Sequence, residues 1–217
     1  MKDLGRRTVT AVVYGAVVLL AVFAPAEGFY VLLGLIAGLA ALELFGLRRA
    51  GVAAVLELLV IAAGLAALVW LRINSEPLFG SARAPSELLM TFLAVWAGDI
   101  AAYAVGSSFG RRRIAPRISP GKTWEGTIAG FVAAAAVIVL WNRPFLAFPA
   151  WAGVAAVLVG PVAFAGDLLE SWAKRRAGVK DSGTLLPGHG GILDRIDSLV
   201  AAATLVAATM SIVGGLG

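Results

Sequence analysis

The chain has 217 residues with a formal net charge of +5, and 60% of them are hydrophobic while only 14% are charged. Its mean hydropathy of +0.90 excludes an ordinary soluble domain, in which about half of the residues are apolar and about a quarter are charged. The absence of cysteine excludes a disulfide scaffold, a thiol nucleophile and a cysteine-based zinc or iron–sulfur site.

Apolar segments long enough to cross a hydrocarbon core of about 30 Å recur along the whole chain. They predict an all-α fold, a polytopic transmembrane helix bundle of about seven spans, which forms one domain over residues 1–217. The residues after the first segment do not form a signal-peptide cleavage site, so we interpret that segment as a retained anchor. The predicted spans are Thr8–Ala24, Gly28–Leu47, Val52–Leu71, Glu87–Phe109, Thr123–Trp141, Pro149–Trp172 and Ile192–Val213.

The positive charges predict the orientation, because Lys and Arg beside a span resist translocation whereas Asp and Glu have little influence. If the N-terminus is cytoplasmic, all but three of the 18 Lys and Arg residues lie on the cytoplasmic side, the exceptions being Arg72, Arg83 and Arg143. This asymmetry predicts a cytoplasmic N-terminus. It also explains the pI of about 10.1 as a topology signal, which argues against a nucleic-acid partner.

The two long connections, near residues 110–122 and 174–191, both fall on the predicted cytoplasmic side. They carry most of the glycine, proline and charge outside the spans. Functional residues concentrate in such loops when a rigid scaffold holds them. We therefore place the candidate active site in these two loops and in the span ends beside them.

Acidic residues gather at the span ends on either side of the second loop. Offsets of three and four residues place each group on one helical face: Asp167, Glu170, Ser171 and Lys174 in the sixth span, and Asp194, Asp197 and Ser198 in the seventh. Neighbouring carboxylates repel one another unless a cation lies between them, and oxygen ligands without His or Cys favour Mg²⁺. In the alternative, Asp194 and Asp197 are helix N-terminal acids that pair with Arg195 or Lys174.

The second loop ends in Pro187-Gly188-His189-Gly190-Gly191, whose glycines expose backbone N–H groups at the start of a helix. Such N–H groups are suited to phosphate oxygens. His189 is the only histidine, and a single histidine makes a poor metal site, so we interpret it as a phosphate or structural contact.

The first loop ends in Ser119-Pro120-Gly121-Lys122-Thr123-Trp124-Glu125-Gly126. It is not a Walker A P-loop, because Pro116 occupies the first glycine position and we expect no strand before it. A cluster of Ser, Lys and Thr before a helix nevertheless suits a phosphate. In the fourth span, Asp99 and Tyr103 lie on a polar stripe that is predicted to face the bundle interior.

Three stretches resemble the signature of the CDP-diacylglycerol synthases, also called phosphatidate cytidylyltransferases. They are Ser171-Trp172-Ala173-Lys174-Arg175, Lys180-Asp181-Ser182-Gly183 and Pro187-Gly188-His189-Gly190-Gly191-Ile192-Leu193-Asp194-Arg195-Ile196-Asp197. The stretch Gly98–Gly126 is also similar to the family, and Glu43 in Ala-Leu-Glu-Leu-Phe is a weaker match. The resemblance covers the chain from Glu87 onward.

The resemblance implies Mg²⁺-dependent nucleotidyl transfer from CTP to phosphatidate, which gives CDP-diacylglycerol and pyrophosphate at the cytoplasmic face of a prokaryotic plasma membrane. A phosphatidate oxygen is already ionised near neutral pH, so catalysis reduces to positioning and charge neutralisation. CTP, phosphatidate and the lipid bilayer are the implied partners, with a homodimer as the implied assembly. A second, monovalent cation is left open.

The site residues are assigned on the same resemblance. The catalytic residues are Asp167, Lys174, Asp194 and Asp197, and the Mg²⁺ ligands among them are Asp167, Asp194 and Asp197. The substrate-binding residues are Asp99, Tyr103, Ser119, Lys122, Thr123, Glu125, Ser171, Arg175, Lys180, Asp181, His189, Gly190 and Arg195.

Two other functions fit parts of the pattern. A CTP-dependent polyprenol kinase would share the loops and the metal but would release CDP instead of pyrophosphate. A transporter would use intramembrane acids as a cation relay, but only Asp99 is predicted deep in the membrane and the outer face has few polar groups. For Glu43 and Glu57, pairing with the basic loops explains the carboxylate as well as a functional role does.

Overall fold

The protein is a helical bundle with two short hairpins. The structure is a computed structural model, and it describes residues 2–78, 81–142, 148–183, 185 and 190–216. The α-helices are α1 (Lys2–Phe23), α2 (Ala26–Gly46), α3 (Val52–Asn74), α4 (Ser86–Phe109), α5 (Trp124–Asn142), α6 (Ala150–Arg176) and α7 (Leu193–Val213). Short 3-10 helices cover Arg48–Ala50 and Gly214–Leu216.

The fold class is confirmed. Within the described ranges, six helices, α2 to α7, are long and apolar enough to cross a membrane, and α1 contains the shorter apolar stretch Val12–Phe23. Large apolar side chains such as Leu20, Leu42 and Val132 are exposed on the outer surfaces of these helices. A lipid environment accounts for this exposure, because a helix surface that faces acyl chains is apolar.

Both hairpins are antiparallel strand pairs. Strand β1 (Pro77–Leu78) pairs with β2 (Ser81–Pro85), and β3 (Arg113–Ala115) pairs with β4 (Ser119–Thr123). The second hairpin lies in the segment that the sequence predicts as a long loop. Its Arg112 carbonyl accepts a hydrogen bond from the Trp124 N–H at 2.9 Å, so the hairpin is tied directly to the start of α5.

Helices α4 and α5 pack closely because small residues face each other along their contact. A Cβ atom on Gly126 would lie 2.5 Å from the Ala102 carbonyl oxygen and 2.8 Å from the Gly106 Cα. One turn further along, a Cβ on Gly130 would lie 2.9 Å from the Gly98 carbonyl oxygen. Close backbone approach at small residues is a common way for helices to associate in lipid. It brings the start of α5 against the last turns of α4.

Among the six long apolar helices, α7 is the most enclosed, since 56% of the residues in its 18-residue apolar stretch are buried inside the bundle. It contacts α3 through Gly64, where a Cβ atom would lie 2.2 Å from the Val200 Cβ and 2.5 Å from the Val200 Cα. No side chain larger than hydrogen fits at Gly64 unless the two helices separate.

We therefore expect Gly64→Ala to lower the free energy of unfolding by about 1–3 kcal/mol, as overpacking a tight contact does. The matched control is Gly38→Ala in α2, where a Cβ atom meets nothing within 4 Å. Thermal unfolding in detergent measures both variants. Equal melting temperatures for Gly64→Ala and Gly38→Ala would contradict the close contact between α3 and α7.

Candidate active site

A cavity of about 470 Å³ opens between the hairpin β3–β4 and helices α4, α5 and α6. Its polar lining includes Asp99, Ser119, Lys122, Thr123 and Asp167. The remainder of the lining is mostly apolar or glycine, with Phe131 and Phe164 as its largest apolar side chains. It also includes the hydroxyl-bearing residues Tyr103, Ser107, Thr127 and Ser198. The cavity therefore has a charged part beside the hairpin and an apolar part that follows the helices.

The charged part of the cavity is organised by an ion pair between Lys122 and Asp167. Lys122 comes from strand β4 and Asp167 from α6, so the pair joins the hairpin to the helix. The Lys122 ammonium also lies 4.9 Å from the centre of the Phe164 ring, a favourable cation–π distance. The Ser171 hydroxyl donates to the second Asp167 oxygen at 3.4 Å. Both charged side chains are about a quarter exposed, at 24% for Lys122 and 26% for Asp167.

A close helix contact brings Asp197 near Asp167. A Cβ atom on Gly166 would lie 2.7 Å from the Asp197 carbonyl oxygen and 2.8 Å from the Ala201 Cβ, so α6 and α7 touch at this level. Asp197 accepts a hydrogen bond from the Ser198 N–H at 2.7 Å through one carboxylate oxygen. The backbone of Asp197 on α7 thus lies against the residue that precedes Asp167 on α6.

A second group of polar residues surrounds the first turn of α7. We call Glu43, Lys174, Ser182, Gly191 and Asp194 the α7 N-terminal cluster. Lys174 is 8% exposed; it forms an ion pair with Asp194 and another with Glu170 at 2.6 Å. The other Asp194 oxygen accepts from the Gly191 N–H at 2.7 Å, the Ser182 hydroxyl at 2.9 Å and the Ser182 N–H at 3.1 Å.

Glu43 completes this cluster from α2. One of its carboxylate oxygens accepts from the Ile192 N–H at 2.8 Å, and the other accepts from the Leu193 N–H at 3.0 Å. The second oxygen also lies 2.8 Å from the Ser182 hydroxyl. Glu43 thereby satisfies N–H groups at the start of α7 that have no acceptor inside the helix. From the sequence alone, its role was open between pairing with the basic loops and a function.

Two predicted substrate-binding residues hold the loops in place. Glu125 accepts from the backbone N–H groups of Arg111 at 3.1 Å and Arg112 at 3.4 Å. Arg175 donates to the Ile118 carbonyl at 3.1 Å and to the Val179 carbonyl at 3.0 Å. Glu125 thus ties the segment before β3 to the start of α5, and Arg175 ties the hairpin β3–β4 to the end of α6.

The other predicted substrate-binding residues occupy several positions. Tyr103 is 79% exposed at the edge of the cavity. Lys180, Asp181 and Arg195 are exposed near the α7 N-terminal cluster. Gly190 has a φ of +80°, a conformation that favours glycine, and a Cβ there would lie 2.5 Å from an Asp194 oxygen. His189 lies outside the described residues.

The predicted Mg²⁺ ligands are Asp167, Asp194 and Asp197, and the chemistry of their oxygens decides whether they fit the ion. Within the described ranges, no three His, Cys, Asp or Glu side chains converge into a complete metal site. Asp167 and Asp197 nevertheless supply hard oxygen donors on adjacent helices. Mg²⁺ is commonly held by one or two carboxylates together with substrate phosphates and water, so this pair fits such an ion. The Asp194 oxygens already accept from protein groups in this structure.

Comparison with known proteins places the chain in a family. A sequence model described as "Cytidylyltransferase family" matches residues 85–213, which is more than half of the chain. The chain belongs to the Cytidylyltransferase family. The match covers α4 to α7 with both hairpin strands β3 and β4, and therefore the whole cavity. The family resemblance seen in the sequence is therefore confirmed.

Several curated relatives of this cytidylyltransferase-family chain are named "Phosphatidate cytidylyltransferase". The protein from Brucella suis biovar 1 (strain 1330) is 46% identical over 145 residues, which is 66% of this chain and 52% of the relative. The protein from Synechocystis sp. (strain ATCC 27184 / PCC 6803 / Kazusa) is 49% identical over 128 residues, with 56% and 43% covered. The chain thus spans about half the length of the curated relatives it matches.

Another relative carries no activity in its name. It is "Uncharacterized protein YnbB" of Escherichia coli (strain K12), which is 47% identical over 118 residues, or 52% of this chain and 39% of that protein. Similarity of this degree therefore extends to a protein whose name states no reaction. The reaction has to be argued from the site.

Four site residues received no firm role from the sequence. Glu43 lies far from the loop motifs, and Ser182 and Gly191 appeared only as parts of a motif. Phe164 had no polar signal at all. Spacing along one helix indicates which residues share a face, but it gives no information about which faces of different helices meet.

Proposed function

We propose that the protein is a phosphatidate cytidylyltransferase, which converts CTP and phosphatidate into CDP-diacylglycerol and pyrophosphate. The observation that carries the proposal is the amphipathic cavity, with Lys122 and Asp167 at its charged part and apolar residues along α4, α5 and α6. Its volume of about 470 Å³ is in the usual range for small-molecule sites, roughly 300–1,000 Å³. The names of the curated relatives support the same reaction.

The shape of the cavity suits a lipid phosphate. Its lining on α4 runs from Ala94 to Ser107, which at about 1.5 Å per residue corresponds to roughly 20 Å along the helix. Lys122 offers a cation to the phosphate, while Phe131, Ala163 and Phe164 offer apolar surface to acyl carbons. A soluble nucleotide alone would have no use for this apolar part.

The reaction needs no nucleophile from the protein. A phosphatidate oxygen attacks the α-phosphorus of CTP and forms a new P–O bond, while the bond from the α-phosphorus to the bridging oxygen breaks and pyrophosphate leaves. The attacking oxygen is ionised near neutral pH, so no general base is required. The protein positions two polyanions and reduces their mutual repulsion, which Lys122 and the hydroxyls of Ser119 and Thr123 are placed to do.

Mg²⁺ is part of the proposal, with Asp167 and Asp197 as the residues that would hold it. When bound, the ion neutralises charge on the triphosphate. Lys122 would then exchange Asp167 for a substrate phosphate as its partner, since the present ion pair occupies both groups. Asp194 as a third ligand and a second, monovalent cation stay predictions.

The setting of the reaction is also proposed. The distribution of Lys and Arg supports a cytoplasmic N-terminus, with the hairpin β3–β4 and the loop before α7 on the same side of the membrane. We propose the plasma membrane of a prokaryote as the location, a view that the bacterial relatives support. A homodimer stays an expectation from the family.

The test is a transfer assay with purified protein, phosphatidate and CTP that is labelled at either the α- or the γ-phosphorus. We expect label from the α-position to enter the lipid fraction only when Mg²⁺ is present, with release of pyrophosphate. Label from the γ-position in the lipid, with release of CDP, would identify a lipid kinase instead. No transfer from either position, by protein that is folded and monodisperse, would contradict the proposal.

A further inference from the structure

The carboxylate of Glu43 is enclosed by the loop that precedes α7. Its two oxygens accept hydrogen bonds from the Ile192 and Leu193 N–H groups at 2.8 and 3.0 Å. A Cβ atom on Gly183 would lie 2.6 Å from one Glu43 oxygen, and a Cβ atom on Gly191 would lie 2.2 Å from the other. These two glycines are therefore required by the position of a side chain on another helix, since neither has a positive φ.

Glu43 is coupled to Asp194 through a single hydroxyl group. The Ser182 oxygen lies 2.8 Å from a Glu43 oxygen and 2.9 Å from an Asp194 oxygen. A serine hydroxyl has one proton to donate, so the two carboxylates share it. Asp194 in turn forms the ion pair with Lys174. The chain of contacts thus runs from α2 through the loop to the end of α6.

We propose that Glu43 is a positioning residue, which fixes Ser182 and the backbone of residues 191–193 and thereby the orientation of Asp194 and Lys174. The inference rests on the proposed function for its kinetic consequence. Glu43 lies on α2, outside the region 85–213 that the family match covers. The first half of the chain therefore supplies a group to the site, in addition to its apolar spans.

Glu43→Gln tests the proposal with little change of size. Both carboxylate oxygens accept from backbone N–H groups, whereas a glutamine amide has one acceptor oxygen and would set an NH₂ group against an N–H donor. We expect the kcat for CDP-diacylglycerol formation to fall by about 10- to 100-fold, the usual effect of losing a group that orients a site residue. The KM for CTP should change by less than about threefold, because Glu43 does not line the cavity.

Gly191→Ala should disturb the same contacts of Glu43 and Ser182 by a change in the loop instead of in α2. Its Cβ atom would collide with Glu43 and with the Ser182 hydroxyl, each at 2.2 Å. In a Glu43→Ala background the first collision is gone, and Ser182 has lost one of its two carboxylate partners, so its side chain has room to move away from the new Cβ atom. We therefore expect the kcat of the double variant Glu43→Ala/Gly191→Ala to be within about threefold of the kcat of Glu43→Ala alone, which is a strong departure from additivity. If the two substitutions acted independently, the fold-losses in kcat of the single variants would multiply in the double variant.

Amide hydrogen exchange gives a readout that does not depend on catalysis. In Glu43→Gln, the amides of Ile192 and Leu193 should exchange faster than in the parent protein, while amides in the middle of α7 keep their protection. The matched control is Glu27→Gln, an exposed glutamate at the other end of the same helix, which should leave exchange and kcat unchanged.

Three outcomes would overturn the inference. One is unchanged exchange at Ile192 and Leu193 in Glu43→Gln, and another is a multiplicative loss in the double variant. The third is a loss of activity that follows only the amount of folded protein, with an unchanged kcat per folded molecule. If the parent protein itself transfers no cytidylyl group, the proposed function fails, while the exchange comparison still decides whether Glu43 fixes the loop.

Discussion

Asp167→Asn is expected to lower the rate of CDP-diacylglycerol formation by about 100- to 1,000-fold, the loss that follows removal of one preorganised electrostatic group. Asparagine keeps the shape of the side chain and one acceptor oxygen for Lys122 or Ser171. It removes the negative charge that pairs with Lys122 and that would bind Mg²⁺ beside Asp197. The measurement is the transfer assay with CTP labelled at the α-phosphorus, at a series of Mg²⁺ concentrations.

The control for this variant is Glu76→Gln, which changes an exposed carboxylate outside both polar clusters and should leave the rate unchanged. A second readout is thermal stability in the presence of CTP. Mg²⁺ should raise the melting temperature of the parent protein and of Glu76→Gln but not that of Asp167→Asn, because only a bound ion stabilises the folded state. An Asp167→Asn protein with an unaltered Mg²⁺ requirement would contradict the assignment of Asp167 to the metal.

Gly126→Val is expected to destabilise the bundle by about 3 kcal/mol and to abolish most activity. The three closest atoms that a Cβ atom would meet at Gly126 belong to the backbone of α4, at Ala102 and Gly106, so no side-chain rotation relieves these contacts. Overpacking of this kind costs about 1–3 kcal/mol, or more where the neighbours cannot move. At about 2–4 °C per kcal/mol for a chain of this size, the melting temperature should fall by roughly 6–12 °C.

The matched control is Ala136→Val, which introduces the same side chain on the exposed face of the same helix and should leave the melting temperature unchanged. Activity and stability are measured on the same detergent-purified samples. Activity should fall more than stability predicts, because separation of α4 and α5 also widens the cavity that Lys122 and Thr123 line. A Gly126→Val protein that melts and reacts like Ala136→Val would contradict the tight contact.

The sequence predicted the helices well because their signal is local. Long apolar runs interrupted by Pro, Gly and charge gave all seven helical segments, with bounds mostly within a few residues of those observed. The hairpin β3–β4 was predicted as a loop, because strands of three and five residues with a register shift leave no periodic pattern. The predicted helix that carries Asp167, Glu170, Ser171 and Lys174 is present as α6.

The sequence did not predict which side chains from different helices pair with one another. The spacing of Asp167 and Lys174 suggested one shared site, yet Asp167 pairs with Lys122 at the cavity whereas Lys174 pairs with Glu170 and Asp194 in the α7 N-terminal cluster. The alternative in which Asp194 is a helix N-terminal acid paired with Lys174 describes its observed contacts. Its assignment as a metal ligand stays a prediction.

By itself, the sequence determined that the chain is a membrane-spanning helical bundle with its polar groups gathered near two loops. Both properties depend on composition and on spacing along one segment, which are fixed before any helix meets another. Only the tertiary structure decided that Gly126 and Gly166 let the helices touch, that Lys122 meets Asp167, and that Glu43 supports the start of α7. Those contacts depend on which helix faces meet in lipid, and residues 45 or 149 positions apart carry no local pattern that reveals it.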